Sequence, residues 1–508
     1  AAAARGGGGR AAKVNGLNLY EISARPFLYE LSHKYGRAIT KLRDVPLDEW
    51  RTIASYGMDW LWVMGVWELT PGGLNVSRTD PTLLDAYRRA LPDFTLDDVI
   101  GSPYATQLPY TVMPELGTDD DVRALRDTLH TLGLKLMLDF VPNHSALDAA
   151  PTRTQPEWFV HVPKGTQPPY DSRHYNTNGI AYGSVGFGDG WFDTAQVNVW
   201  NPTFADYWEK QLVHAATLGD GVRVDMAYLL LNDNFERNWG ANVRSYGYER
   251  PPTEFWTRAI AAVRAVAPDT LFLAEVYAGY QQALLDTGFD YCYDKQLLDR
   301  LEARDVGAVR AWLGGEHAFD FQRQLAHFLS NHDEPRAVTS FGGRDQWFVS
   351  KAAALTAFTT PGMRFFWQGQ FDGLRYQINV HLRRARADTA DPRLTDFYLK
   401  QLLPLLGDDV MRAGRWTFVH DVHGDGAARL LAWRWSAPGG RPARRLCVLN
   451  HSDARAGAKV VVADAPGDGN ITLTERLSGA TYSRSAPKMR TSGLQVVVNA
   501  WYAQIFDY

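Results

Sequence analysis

Cysteine is nearly absent from this chain: Cys292 and Cys447 are the only two in 508 residues. That excludes a disulfide framework, and because the pair falls in two different predicted domains, both are expected as free thiols. Long hydrophobic runs are missing too. No apolar stretch reaches the roughly 20 residues that a spanning helix needs, and the opening Ala-Ala-Ala-Ala-Arg-Gly-Gly-Gly-Gly-Arg has no apolar h-region. The expectation is a soluble protein, cytoplasmic rather than secreted, with a secreted or periplasmic one left open where a signal peptide has been removed. Nor is there an excess of one charge. A formal net charge of −4 gives no reason to expect nucleic acid or an anionic membrane as partner, so a neutral substrate fits better. A content of 45% hydrophobic and 22% charged residues describes a globular chain, longer than one ordinary domain.

Apolar, β-rich runs alternate with amphipathic stretches of helical length over most of the chain. The runs 17–25, 60–69, 134–141, 221–227, 271–277, 289–294, 328–333 and 363–368 predict eight strands, and their nearly continuous apolar character suits strands buried on both faces. The fold expected is α/β: a (β/α)₈ barrel (TIM barrel) over 15–141 and 217–406, after an Ala/Gly-rich segment 1–14 expected to be disordered. About 75 residues rich in Pro, Gly, Tyr, His and Asn follow the third strand, too long for an ordinary connection. They predict an inserted lobe over 142–216. A second excursion, 68–101, follows the second strand and is expected to border the same mouth. Beyond 407 short alternating strands separated by Pro/Gly turns predict a C-terminal antiparallel β-sandwich, 407–508.

Four of the runs end in acidic, amide or imidazole side chains: Asp139-Phe-Val-Pro-Asn143-His144, Gly221-Val-Arg223-Val-Asp225, Leu-Phe-Leu-Ala-Glu275, and Asn331-His332-Asp333-Glu334. Charged strand ends in series are what an active site at the C-terminal rim of a parallel barrel requires. Alternation puts Arg223 and Asp225 on the same side of their strand, facing the barrel axis. A guanidinium there favours the ionised carboxylate, which suits Asp225 as a nucleophile. Glu275 closes the next strand and is the candidate general acid/base, a role that calls for a carboxyl holding its proton. Carboxyls roughly 5 to 5.5 Å apart would retain anomeric configuration and roughly 6.5 to 9.5 Å apart would invert it; spacing in sequence leaves both open. Asp333 is a third acid able to bind sugar hydroxyls and favour an oxocarbenium-like transition state.

These motifs resemble, in order, the four signatures of the α-amylase family of glycoside hydrolases and transglycosylases. Ala195-Gln196-Val197-Asn198 with Asn201-Pro202 resembles a fifth, and Ser102-Pro103-Tyr104 resembles the segment whose tyrosine packs on the sugar being cleaved. The resemblance implies that Asp225 is nucleophile, Glu275 acid/base and Asp333 transition-state stabiliser. It further implies that Tyr104, His144, Arg223 and His332 bind substrate, with Asp139 supporting Arg223. It implies retention, an α-linked oligosaccharide or small α-glucoside as substrate, and no organic cofactor. Asn143 ligates a structural calcium in many members, so a calcium ion is expected as an alternative to a purely structural amide.

One departure narrows the substrate. After the nucleophile the chain reads Met226-Ala227-Tyr228-Leu229-Leu230, where many starch-acting members carry a Lys-His pair that contacts the leaving-group sugar. Short oligosaccharides therefore fit better than long starch. Two other readings stand beside hydrolysis: transfer of the glycosyl unit to a sugar acceptor, and a non-catalytic carbohydrate-binding or assembly barrel, which the presence of all three carboxylates disfavours.

Overall fold

The structure is a computed structural model that describes residues 16–277, 279–315 and 318–508; the segment 1–14 lies outside them. Eight strands close into a parallel barrel in sequence order: β1 (Asn18–Ser23), β2 (Trp60–Met64), β3 (Lys135–Phe140), β4 (Gly221–Val224), β5 (Leu271–Ala274), β6 (Tyr291–Tyr293), β7 (Leu325–His327) and β8 (Met363–Trp367). Apart from Lys135, every residue of these strands is buried, because helices cover the outside while packed side chains fill the inside. The seventh strand differs from the sequence reading of 328–333. The apolar run begins earlier, at Leu325, and the chain has already left the barrel by Asn331, whose Oδ1 accepts from the backbone N–H groups of Asp333 and Glu334, each at 2.9 Å. Asp333 therefore projects from a turn and not from a strand.

Local chemistry fixes where the intervening helices begin. Thr118 caps the helix Asp119–Thr131 in a capping box with Asp121, and three aspartates in its first turn face the positive end of the helix dipole. Asn201 caps Pro202–Leu218 by accepting from Thr203 N, with Pro202 at the first helical position. That helix packs Trp208 against Phe140 of β3 (ring centroids 5.0 Å) and so belongs to the barrel's outer layer. The inserted lobe thus ends near Asn201, short of the 216 read from composition. Its strands His144–Ala146 and Thr194–Gln196 pair antiparallel, with His144 opposite Gln196. The excursion after β2 holds two helices, Pro71–Thr79 and Pro81–Ala90, capped by Thr70 and Asp80.

The C-terminal region forms two antiparallel sheets. Strands β9 (Arg415–Phe418), β11 (Leu430–Ser436), β12 (Arg444–Asn450), β14 (Asn470–Glu475), β15 (Thr481–Ser485) and β17 (Tyr502–Asp507) make a six-stranded sheet in the order β9-β11-β12-β17-β14-β15. Strands β10 (Val422–His423), β13 (Ala456–Val460) and β16 (Leu494–Val498) make a second. Alternation divides β11 between two cores: Leu430 and Ala432 pack toward the three-stranded sheet, while Leu431, Trp433 and Trp435 join the core of the barrel. Trp435 Nε1 donates to Thr359 O at 2.8 Å, and Arg310 Nη2 donates to Leu430 O at 2.9 Å, tying sheet to barrel. Cys292 and Cys447 are both buried and form no disulfide with each other. No described helix is long and apolar enough to cross a membrane.

Candidate active site

Register places the acidic residues. Asp139 on β3 lies opposite Arg223 on β4, and Val224 lies opposite Ala274 on β5, so Asp225 and Glu275 are the next residues of two adjacent strands. Their backbones continue the ladder: Asp225 N donates to Phe140 O (2.8 Å) and Glu275 N to Val224 O (2.9 Å). Met226 then turns into the left-handed region (φ 40°), an uncommon conformation for a non-glycine residue. That turn aims Met226 N–H at Glu275 Oε2, 2.7 Å away.

Arg223 is the hub. Its side chain is fully buried, with Nη1 donating to Asp225 Oδ1 (3.0 Å) and to Asp139 Oδ1 (3.4 Å), and Nε to the Tyr293 hydroxyl (3.2 Å). Nη2 lies 2.8 Å from Glu275 Oε2, but no N–H points along that line, so the cation approaches this carboxyl closely without a hydrogen bond. The guanidinium carbon also sits 4.9 Å from the Trp62 ring centroid and 5.5 Å from that of Tyr104. One cation thus serves three carboxylates inside an aromatic cage.

Burial and charge separate the acids. Burial pushes Glu275 up to about 8 despite Arg223, so its carboxyl keeps a proton at neutral pH. Burial also raises Asp225, opposed by Arg223, so the guanidinium moderates the shift without reversing it. Asp139 is pushed up to about 6 by burial against the pull of Arg223. Asp333 goes the other way: burial works against its charge, yet His332 holds it below the ordinary carboxylate value. Its side chain is 43% exposed to the cavity, with Oδ2 2.9 Å from His332 Nε2.

His332 is held by groups from distant parts of the chain. Nδ1 lies 2.5 Å from Glu21 Oε1, and Nε2 lies 2.7 Å from the Tyr104 hydroxyl. Burial opposes its charge, but Asp333 and Glu21 outweigh burial and raise it well above the ordinary histidine value. Tyr104 stacks on the same ring (centroids 5.4 Å, 26°) and its edge faces the cavity. His144 is the opposite case: burial lowers it to about 4, leaving a neutral imidazole 5.0 Å from the Trp191 ring. Asp225, Glu275, Asp333, Tyr104 and His144 line one cavity of about 510 Å³, together with Val76, Asp80 and Leu83 from the excursion after β2 and Trp191 and Asp193 from the lobe. Arg223 and Asp139 do not line it; they are buried behind Asp225.

Asn143 does not fit a calcium site. Its Oδ1 accepts from Gln196 Nε2 (3.0 Å) while its Nδ2 donates to Gln196 Oε1 (3.2 Å), and the same Nε2 donates to Asn143 O (2.8 Å). An amide donor thus stands among the oxygens that a hard cation would need. Among the described residues no group of three or more His, Cys, Asp or Glu side chains converges as a metal would require.

Sequence reasoning passed over Glu21, Trp62, Tyr293 and Asp193. Glu21 left one signal, the single charge in the strand Asn-Leu-Tyr-Glu-Ile-Ser; Asp193 left none.

A barrel carrying this acid constellation at its C-terminal rim is the architecture of a glycosyl-transferring enzyme family, and comparison identifies which. The model of the α-amylase catalytic domain matches residues 98–416, and the chain belongs to the α-amylase family. It is 24% identical over 318 residues to an oligo-1,6-glucosidase of Halalkalibacterium halodurans, covering 52% of this chain and 54% of that protein. It is 26% identical over 308 residues to an α-1,4-glucan:maltose-1-phosphate maltosyltransferase of Streptomyces coelicolor, covering 58% and 38%. The chain spans about half the length, or less, of these relatives. The crystal structure of an α-amylase from Lactobacillus plantarum shares the fold, with TM-score 0.64, 19% identity and coverage of 97% and 99%.

Proposed function

We propose that the chain hydrolyses α-glucosidic bonds in short oligosaccharides with retention, through a covalent glycosyl-Asp225 intermediate. The observation that carries this reading is the single buried guanidinium of Arg223 reaching Asp225 and Glu275 on adjacent strands at 3.0 and 2.8 Å. One cation contacting both carboxyls draws them together on neighbouring strands, an arrangement compatible with the separation of roughly 5 to 5.5 Å that retention requires.

Asp225 attacks the anomeric carbon while Glu275, protonated because it is buried, donates its proton to the leaving glycosidic oxygen. The C–O bond to the leaving sugar breaks and a C–O bond to Asp225 forms. Glu275, now a carboxylate, takes a proton from water as the water oxygen attacks the same carbon, releasing Asp225 and restoring the starting configuration. Ionised Asp333, held by charged His332 at 2.9 Å, lines the cavity, where its hydrogen bonds to sugar hydroxyls strengthen as the ring flattens. Tyr104 and His144 complete the wall around the sugar.

A second reading, transfer to a sugar acceptor, is favoured by the leaving-group side. Met226 and Tyr277 line it and Tyr228 and Leu229 are buried beneath, an apolar surface that suits a sugar face better than water. The test is size-resolved product analysis after incubation with maltoheptaose. Shorter products alone support hydrolysis, and products longer than the substrate support transfer. Asp225→Asn and Glu275→Gln each lower turnover by roughly 10²-fold or more with the fold intact by circular dichroism; wild-type turnover in either variant removes the assignment.

A further inference from the structure

The cavity wall away from the catalytic strands holds charge that the mechanism does not use. Six acidic side chains line the cavity, the protonated Glu275 and five others, Asp80, Asp189, Asp193, Asp225 and Asp333, and no lysine or arginine is among its described lining residues. The two cations that touch the catalytic acids are already committed. Arg223 lies behind the floor against Asp139, Asp225 and Glu275, and His332 is held between Glu21 and Asp333. The two lining imidazoles are neutral, since burial lowers both His144 and His381 to about 4. The field inside is therefore negative.

Asp193 stands out within this set. It is 9% exposed; its carboxylate accepts from its own backbone N–H, and no side chain among the described residues bonds to it. Its backbone is pinned on both sides: Leu147 N donates to Asp193 O at 2.9 Å, and Thr194 Oγ1 donates to Trp191 O at 2.6 Å. The carboxylate is thus held in place, facing the cavity, with acceptor capacity that the protein leaves unfilled. Buried polar groups are normally hydrogen-bonded, so an unfilled acceptor on a cavity wall marks where ligand donors go. Asp80 stands close enough to influence its charge. One Asp80 oxygen, Oδ1, caps the helix Pro81–Ala90 by accepting from Thr82 N (2.8 Å) and Leu83 N (3.0 Å), leaving Oδ2 toward the cavity.

We propose that Asp193, with Asp80 beside it, is a sugar-hydroxyl subsite that selects a neutral glucosyl unit and rejects phosphorylated sugars. The proposal rests on the reading of the cavity as an α-glucoside site and goes further in choosing the substrate class. Hydroxyl groups of a glucosyl unit donate to the waiting carboxylates, whereas a sugar phosphate would bring nearly two negative charges into a cavity with six acidic side chains and no lysine or arginine among its described lining residues. Repulsion in low dielectric is strong and is not screened by salt as it would be at the surface.

Titration calorimetry on the full chain tests this without requiring turnover, using methyl α-glucoside and its 6-phosphate as probes. The wild type is expected to bind the neutral probe at least tenfold more tightly than the phosphate. Asp193→Asn weakens binding of the neutral probe by about tenfold, the loss of one charge-assisted bond, and narrows the gap between the two probes. The same variant keeps or raises the melting temperature, because it removes an unpaired buried charge, which separates a binding role from a structural one. Asp193→Ala is the second variant and shows the same loss of binding. Equal or tighter binding of the phosphate overturns the proposal, as does unchanged binding in both Asp193 variants or no binding of either probe. Failure of the maltoheptaose assay with these titrations as expected would instead remove the catalytic reading and leave the subsite standing.

Discussion

Glu275 is the residue on which the pH behaviour of this site turns. Its carboxyl is neutral up to about 8 because burial disfavours the anion, with Arg223 only partly compensating. An acid must be protonated to act, so kcat/KM is expected to fall as pH rises through about 8. On the acidic side it falls as Asp225, itself raised by burial, takes up a proton. A pH–rate profile checks this: Glu275→Gln loses the alkaline limb along with most of the rate, and an alkaline limb that persists unchanged in the residual activity assigns it to another group. The three carboxylates were legible in sequence because each lies in a local motif that follows a strand, Asp225 and Glu275 directly and Asp333 from a turn a few residues on. Glu21 was not, because what matters about it is a contact across 311 residues to His332, which no local pattern encodes. Asp193 sits in a lobe whose composition marks it as a loop and gives no hint of which side chains turn inward.

Among the elements, the hairpin joining His144–Ala146 to Thr194–Gln196 carries the sharpest consequence. Gln196 ties the end of β3 to the lobe through Asn143, a task that an ion linked to the same asparagine would otherwise perform. Chelator treatment is therefore expected to leave melting temperature and turnover unchanged, while Gln196→Ala lowers both by unpairing a buried amide, at about 1–3 kcal/mol of stability. A melting temperature that drops on chelation and recovers with calcium would contradict this. Element boundaries were read unevenly. The capped helices after β2 were overlooked although Thr70-Pro71 and Asp80-Pro81 are ordinary helix starts. The seventh strand was displaced because the stretch Leu325–Leu329 is apolar on both sides of His327, and so short a run gives periodicity no phase to fix where the strand begins.

At the scale of the whole molecule, the six-stranded sheet and the barrel share one core. The sequence announced short strands and turns but not which face of each strand meets the barrel, since Trp433 and Trp435 read the same whichever layer they join. Trp435 is fully buried and bonded to Thr359, so Trp435→Ala is expected to cost about 3–5 kcal/mol. In denaturant, wild-type unfolding followed by fluorescence and by circular dichroism should coincide in one transition. Separate transitions would mean that the two parts hold together only loosely.

The two cysteines offer a way to watch that coupling from inside. Cys292 lies on β6 in the barrel and Cys447 on β12 in the sheet, each fully enclosed, and burial pushes the Cys447 thiol up to about 12. Neither can react with an alkylating reagent until its own surroundings open, so the native protein carries a built-in pair of clocks, one for each half. Equal labelling rates would report a molecule that opens as a unit. If Cys447 labels first, the sheet breathes while the barrel, and the active site built on its rim, stays shut.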